Sequence, residues 1–345
     1  MSIATSSNKI IANHNEGYNL SYTLFSEHLQ NNTTTVLSFL MLHMPMLNKN
    51  EIDDWLALHS IYINGEKSNL NNQLTLGSTL TIKMNNHFEQ LVNTQWQCVW
   101  QNQDIMAVYK PAPLAVSRTT RNLYNTLINL VRRQTPFYSA QLLHRLDIET
   151  SGLLLIAKNK ASDMYWKPKI KQLIEEKVYH AIVQGSPDWQ EFHCENELAE
   201  RVDSAIRCKM YVVDPELPRD CYKKPKTSIT TFKVLKRQNG YSLIECKLIT
   251  GRKHQIRAHL AHLHLPIVGD KIYNHQGHYF LKRLQLEAGL SAADYHILKV
   301  ENHLLRAVSV SLRLTPETDL IEINSNSFAD NLHDEFCYSK TESAT

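Results

Sequence analysis

The stretch that most constrains this chain is Gln141 to Lys158, QLLHRLDIETSGLLLIAK. Leu153 to Ala157 is a short apolar run, and Thr150-Ser151-Gly152 bounds it with a turn signal. That pattern reads as a buried strand. His144, Arg145 and Asp147 therefore sit on a turn that feeds the core, where a carboxylate can be held rigidly and still face a cleft. Charged turns are common, so spacing alone leaves a solvated Arg145–Asp147 ion pair as the ordinary alternative.

A chain of 345 residues has room for two domains, and 43% hydrophobic with 21% charged residues is ordinary for a globular protein. No segment approaches the ~18 consecutive apolar residues of a membrane span. The first residues, MSIATSSNKIIANHNEG, lack the apolar core of a secretion signal. A cytoplasmic protein, monomeric by default and with no membrane partner, is expected. Six cysteines (Cys98, Cys194, Cys208, Cys221, Cys246, Cys337) form no CxxC pair, which argues for reduced thiols over a zinc ribbon or disulfide framework. Charge is uneven. Residues 1–95 hold four lysines, no arginine and seven acids, whereas residues 96–345 hold 33 basic and 27 acidic residues. A polyanion is drawn to the second part.

Along the chain, Tyr18, Leu20, Tyr22, Leu24 and Phe25 suit a strand within an N-terminal extension (1–34). Val36, Leu37, Phe39, Leu40 and Leu42 fit a helix face. Asn48 is placed to cap a second helix starting near Lys49, with Ile52, Trp55 and Leu56 as its stripe. Ile61-Tyr62-Ile63 with Asn64-Gly65 reads as a strand and tight turn, and Leu80-Thr81-Ile82 as a further strand. Asp104 to Tyr109 predicts a strand, and Leu123 to Arg133 a helix with Arg132 and Arg133 at its C-terminal end, which suits the helix dipole. Pro168 should break the helix after the central stretch, with Leu173 to Glu176 only a short turn. Val178 to Gln184 alternates as a strand. Residues 186–224 read as an irregular excursion between strands, with a hairpin as the alternative, and Lys223, Lys224 and Lys226 make a basic cluster where it ends. Leu243 to Leu248 is a strand, and Gly251 then turns into a helix with Ile256, Leu260 and Leu263 on one side and Arg257 beside them. Two strands follow within His303–Ser325.

HRLD-x-x-TSGLLL resembles the signature of the RluA-like pseudouridine synthases, which isomerise uridine in ribosomal or transfer RNA. KVYHAIVQG (Lys177–Gly185) and TGRKHQIRAHL (Thr250–Leu260), followed by PIVGD, resemble two further motifs of that family. YKPAPLAVSR is similar to another, with Pro113 where Gly is usual. The resemblance implies that Asp147 is the catalytic residue, that Tyr179 lies in the active site, and that Arg257 pairs with the catalytic carboxylate. It also puts Arg145, His144, Lys110 and Arg252 at the substrate. Residues 35–90 resemble the alpha-L RNA-binding module, although NKNEIDDW stands where basic residues are usual. The implied fold is α+β: a pseudouridine synthase domain (96–330) built on a long, mixed, mostly antiparallel sheet with flanking helices and a central cleft. The small alpha-L-like module precedes it, and a tail (331–345) is expected to be disordered.

Uridine becomes pseudouridine when the ribose bond to ring nitrogen is exchanged for one to ring carbon. No redox change occurs, so no cofactor or metal is required. A carboxylate meeting a flipped nucleotide suffices. Arg257 would oppose the rise in pKa that burial imposes on Asp147. His254, His259, His262 and His264 invite a metal, but their spacing lacks an HExxH-type pair. The expected substrate is large-subunit ribosomal RNA, with transfer RNA the alternative. A non-catalytic RNA-binding or ribosome assembly factor on the same fold is the alternative of another class.

Overall fold

A computed structural model describes residues 18–29, 33–44, 47, 52–85, 87–285 and 289–325. The expected cap at Asn48 and the C-terminal tail lie outside them. The chain divides into two compact units, residues 1–91 with 117–140, and residues 92–116 with 141–345.

The first unit holds β1 (Tyr18–Thr23), α1 (Val36–His43), α2 (Ile52–Leu58), β2 (His59–Ile63), β3 (Glu66–Ser68), β4 (Thr79–Met84) and α3 (Leu127–Gln134). Its sheet runs β1-β4-β2-β3, all antiparallel. Alternation explains the packing: Leu20 and Tyr22 of β1, and Leu80, Ile82 and Met84 of β4, turn inward onto Val36, Phe39 and Leu40 of α1. Asn64 and Gly65 both take positive φ, as the tight turn between β2 and β3 requires. The helix expected from Leu123 begins instead at Leu127. The Glu89 carboxylate accepts the backbone N–H groups of Leu123, Tyr124 and Asn125, which holds those residues in a turn ahead of the helix. Arg132 and Arg133 are turned inward, donating to the carbonyls of Ala140 and Tyr124. Residues 117–140 thus group with the N-terminal unit, whereas the sequence placed them in the synthase domain.

The second unit is built on eleven strands: β5 (Gln97–Gln101), β6 (Ile105–Lys110), β7 (Gln141–Leu142), β8 (Ser151–Ala157), β9 (Ile174–Gln184), β10 (Glu191–Arg201), β11 (Tyr211–Val212), β12 (Tyr222–Gln238), β13 (Tyr241–Leu248), β14 (Leu305–Leu312) and β15 (Ile321–Asn324). The order is β11-β10-β12-β13-β9-β14-β8-β6-β5, with β15 on β14 and β7 on β8. Helices α4 (Lys160–Trp166), α5 (Ile170–Leu173), α6 (Gln255–His262), α7 (His278–Gln285) and α8 (Ala292–Leu298) accompany it. The expected mixed, mostly antiparallel sheet is present; β8 and β14 make its parallel pair. Gly152 explains why they can meet. A Cβ built there would fall 2.2 Å from the Ala307 carbonyl oxygen, and its φ of +110° suits glycine alone.

Two expectations are corrected. Ile174 to Glu176 is already strand β9, because α5 ends at Leu173, not in a turn that follows it. Residues 186–224 are not irregular throughout: the hairpin alternative holds, with β10 pairing antiparallel to β11. β10 occupies eleven of them, burying Cys194 and Leu198 while Glu191, His193 and Glu195 face outward. Its acidic outer face hid the alternation.

Candidate active site

Asp147 stands on the turn between β7 and β8, closed by the Thr150 N–H donating to the Asp147 carbonyl (3.2 Å). The turn is gripped at every following residue. The Ile148 carbonyl accepts from the Leu114 N–H and from Lys110 Nζ (3.0 Å). Glu149 pairs with Lys271 (2.9 Å) and Arg283 (3.0 Å). Thr150 Oγ1 meets His303 Nε2 at 2.7 Å. His144 Nε2 accepts the Leu155 N–H (3.1 Å), tying the incoming chain to β8. A turn so tethered cannot drift, yet the Asp147 side chain keeps 30% of its surface exposed.

Arg257 comes from α6 and is almost wholly buried. Its Nη1 donates to Asp147 Oδ2 at 2.7 Å, while Nε and Nη2 donate to the two carboxylate oxygens of Asp270 at 2.7 and 2.9 Å. Asp270 is completely buried and also accepts the N–H groups of Ile272 and Tyr273. The guanidinium lies over the Tyr273 ring, 5.1 Å from its centre. The fork geometry of arginine makes this possible: one edge is locked by Asp270, so the remaining nitrogen is aimed. Burial alone would raise the Asp147 pKa; Arg257 outweighs it and brings it to about 2. Asp147 is therefore ionised at every physiological pH.

Tyr179, on β9, is buried opposite Cys246 and Ala307. Burial, reinforced by the Asp147 charge, pushes its hydroxyl well above the ordinary range, so it is protonated and can donate a hydrogen bond. His254 precedes α6 in the left-handed region (φ 56°), with Nε2 3.8 Å from Asp147 Oδ2 and Nδ1 3.1 Å from the Tyr273 hydroxyl.

The structure thus brings Asp147, Arg257 and His254 together, and Tyr179 within electrostatic reach of the carboxylate. Others of the expected substrate residues are elsewhere engaged. Lys110 is fully buried, its ammonium donating to the carbonyls of Pro111, Leu114 and Ile148. Burial draws its pKa down to about 7 against the pull of Asp147 and Glu149. It braces the Asp147 turn from behind; no surface of it is left for RNA. The His144 ring is spent on the Leu155 N–H, and burial lowers its pKa to about 3, so it carries no charge for a phosphate. Arg252 donates through Nε to the Thr227 carbonyl (2.9 Å). Arg145 is exposed and makes no side-chain hydrogen bond or ion pair among the described residues. Of the histidines considered for a metal, His259 meets Thr230 Oγ1 through Nδ1 at 3.0 Å. Among the described residues no three His, Cys, Asp or Glu side chains converge as a metal site.

The sequence did not reveal Asp270, Glu149, Lys271 or His303. The signal for Asp270 was present in PIVGD: a glycine at positive φ, then an acid, immediately after the helix that carries Arg257.

Residues 104–262 match the family described as RNA pseudouridylate synthase. The dual-specificity RNA pseudouridine synthase RluA of Vibrio parahaemolyticus is 31% identical over 228 residues, 64% of this chain and 85% of that protein. Ribosomal large subunit pseudouridine synthase D of Neisseria meningitidis serogroup A is 27% identical over 243 residues, 68% of this chain and 62% of that one. Among solved structures, human RNA pseudouridylate synthase domain containing 1 superposes with a TM-score of 0.50 at 22% identity, over 67% of this chain and 83% of that chain, and so shares the fold. The chain belongs to the RluA-like family of RNA pseudouridine synthases, isomerases of uridine in RNA.

Proposed function

We propose that this synthase acts on uridine of large-subunit ribosomal RNA, with Asp147 as the catalytic carboxylate. The observation that carries the reading is the doubly held guanidinium. Arg257 is clamped by buried Asp270 and spends its last nitrogen on Asp147, so the carboxylate stays ionised and aimed in a desolvated setting. Tyr179 supplies a ring to pack on the uracil and a hydroxyl to donate to it. Arg145, free on the rim of the turn, fills the stack that the flipped base vacates. Lys223, Lys224 and Lys226, at the start of β12, supply phosphate contacts. Ribosomal RNA is favoured because the sequence of residues 35–90 resembles an alpha-L module and one relative is named for the large ribosomal subunit. Transfer RNA is the second reading. The acidic balance of residues 1–95 favours it, and other relatives are named as dual-specificity enzymes.

The test compares a strain lacking the gene with one carrying only Asp147→Ala. Pseudouridines are mapped across ribosomal and transfer RNA by carbodiimide labelling and primer extension. Loss of the same uridine's modification in both strains is expected and names the substrate. A deletion that abolishes a modification which Asp147→Ala retains would refute the role of Asp147.

A further inference from the structure

The arrangement around His254 goes beyond what the motifs assign. His254 adopts a left-handed backbone, which costs a β-carbon residue energy that glycine would not pay. The strain aims an imidazole at Asp147: Nε2 lies 3.8 Å from Oδ2, and the side chain is 10% exposed. The other ring nitrogen fixes the tautomer. The Tyr273 hydroxyl oxygen accepts the Met210 N–H (2.9 Å), and its own hydrogen has one acceptor among the described residues, His254 Nδ1. This network assigns Nδ1 as the acceptor of the Tyr273 hydrogen, which puts the imidazole hydrogen on Nε2. That N–H has no acceptor at hydrogen-bonding distance among the described residues. Arg257, the other donor beside Asp147, is already shared by two carboxylates.

The reaction needs such a donor. The N1–C1′ bond breaks and a C5–C1′ bond forms; C5 gives up its hydrogen as a proton and N1 gains one. Whichever atom Asp147 meets first, the electron pair of the broken N1–C1′ bond passes to the uracil ring. The ring then carries the negative charge, while Asp147 has already spent its own charge on ribose, ring or proton, so the charge that has moved to the uracil needs a donor of its own. We propose that His254 is a further catalytic residue, its neutral Nε2–H donating to the negative charge that develops on the detached uracil. Neutrality suits the task, because a charged imidazolium would collapse onto Asp147 as an ion pair. Burial, with Arg257 adding, holds the ring's pKa near 4, consistent with this. A neutral imidazole can act as an electrophile in this way.

This inference rests on the reading of Asp147 as the catalytic carboxylate, and the experiment separates the two. RNA labelled with tritium at uridine C5 is isolated from the strain lacking the gene. Single-turnover tritium release is followed with purified wild type, Asp147→Ala, His254→Ala and His254→Gln, and RNA affinity and melting temperature are measured for each. The His254→Ala rate should fall at least about 100-fold, the loss typical of a transition-state donor, with RNA affinity within about threefold. Glutamine, whose amide N–H can reach the position of Nε2 without charge, should recover at least tenfold of that loss. If Asp147→Ala is inert while His254→Ala keeps a rate near wild type, the inference is overturned and the reading of Asp147 stands. Glutamine as slow as alanine, in folded proteins of equal RNA affinity, overturns it as well. An active Asp147→Ala enzyme removes the reading beneath both.

Discussion

Replacing Arg257 with lysine tests the logic of the site most directly. Arginine makes three charged hydrogen bonds here, two to Asp270 and one to Asp147. A lysine has a single nitrogen, which cannot span two carboxylates that grip opposite sides of a fork. Each charged hydrogen bond contributes about 1.5–3 kcal/mol, and leaving a buried carboxylate uncompensated costs about 3–5 kcal/mol. With the lysine's single ammonium drawn to fully buried Asp270, the Asp147 carboxyl, held at about 2 against an ordinary 3.8, would lose its hydrogen-bonded counter-charge. That gap alone is worth roughly 2.5 kcal/mol, and burial would then carry the group further upward. Arg257→Lys should therefore melt at a lower temperature and show an acid limb in its kcat/KM profile within pH 4–6, where the wild type is still flat. The assay is tritium release across pH 3.5–8, with scanning calorimetry as control. An acid limb that does not move in a folded Arg257→Lys protein would refute the claim that Arg257 keeps Asp147 ionised.

Two further expectations follow from the buried groups. Lys110→Met leaves the carbonyls of Pro111 and Leu114 without the ammonium and Ile148 with only the Leu114 N–H, a loss of about 2–4 kcal/mol in urea unfolding. The slope of log RNA affinity against log salt should stay unchanged; a drop of about 0.7–0.9 would make Lys110 a phosphate ligand after all. His43, His144, His254, His259 and His303 are held, chiefly by burial, at about 3–4 against an ordinary 6.5. The unfolded chain takes up protons near pH 6.5 that the folded chain refuses until near pH 4. Stability should thus be full above pH 7 and fall as pH drops through that window, at pH 5 by up to about 2 kcal/mol per histidine. Urea titrations at pH 7.5 and 5.0 that agree would contradict it.

The sequence disclosed the site where local periodicity and motif spacing carry the information. The apolar run after Gly152 read as a buried strand and Arg257 as lying beside the Ile256–Leu260 stripe of its helix, but that Asp147 and Arg257 meet was implied only by the resemblance of their motifs to the family; spacing alone left Asp147 paired with Arg145 in solvent. The second carboxylate was not legible, because Asp270 returns to Arg257 through a turn whose course no periodicity records. Lys110 misled for a related reason. A lysine at a strand end is ordinarily solvated, and only the folded chain shows three carbonyls converging on it. β10 was missed because its exposed acids masked the buried Cys194 and Leu198, and the start of α3 because Glu89, a residue 34 to 36 positions away, holds the preceding turn.

The tethers of the Asp147 turn carry a consequence for how the enzyme is made. They reach forward by 110 residues to Arg257, by 122 from Glu149 to Lys271, by 134 to Arg283 and by 153 from Thr150 to His303. Translation proceeds at roughly 5–20 residues per second, so the last tether emerges some 8–30 s after the turn itself. Until Arg257 emerges the growing chain has a carboxylate with no guanidinium to aim it, and until His303 emerges its turn is not fully tethered. A nascent synthase, tethered to the very kind of particle proposed to contain its substrate, should therefore stay chemically idle at least until Arg257 and Asp270 have left the ribosome.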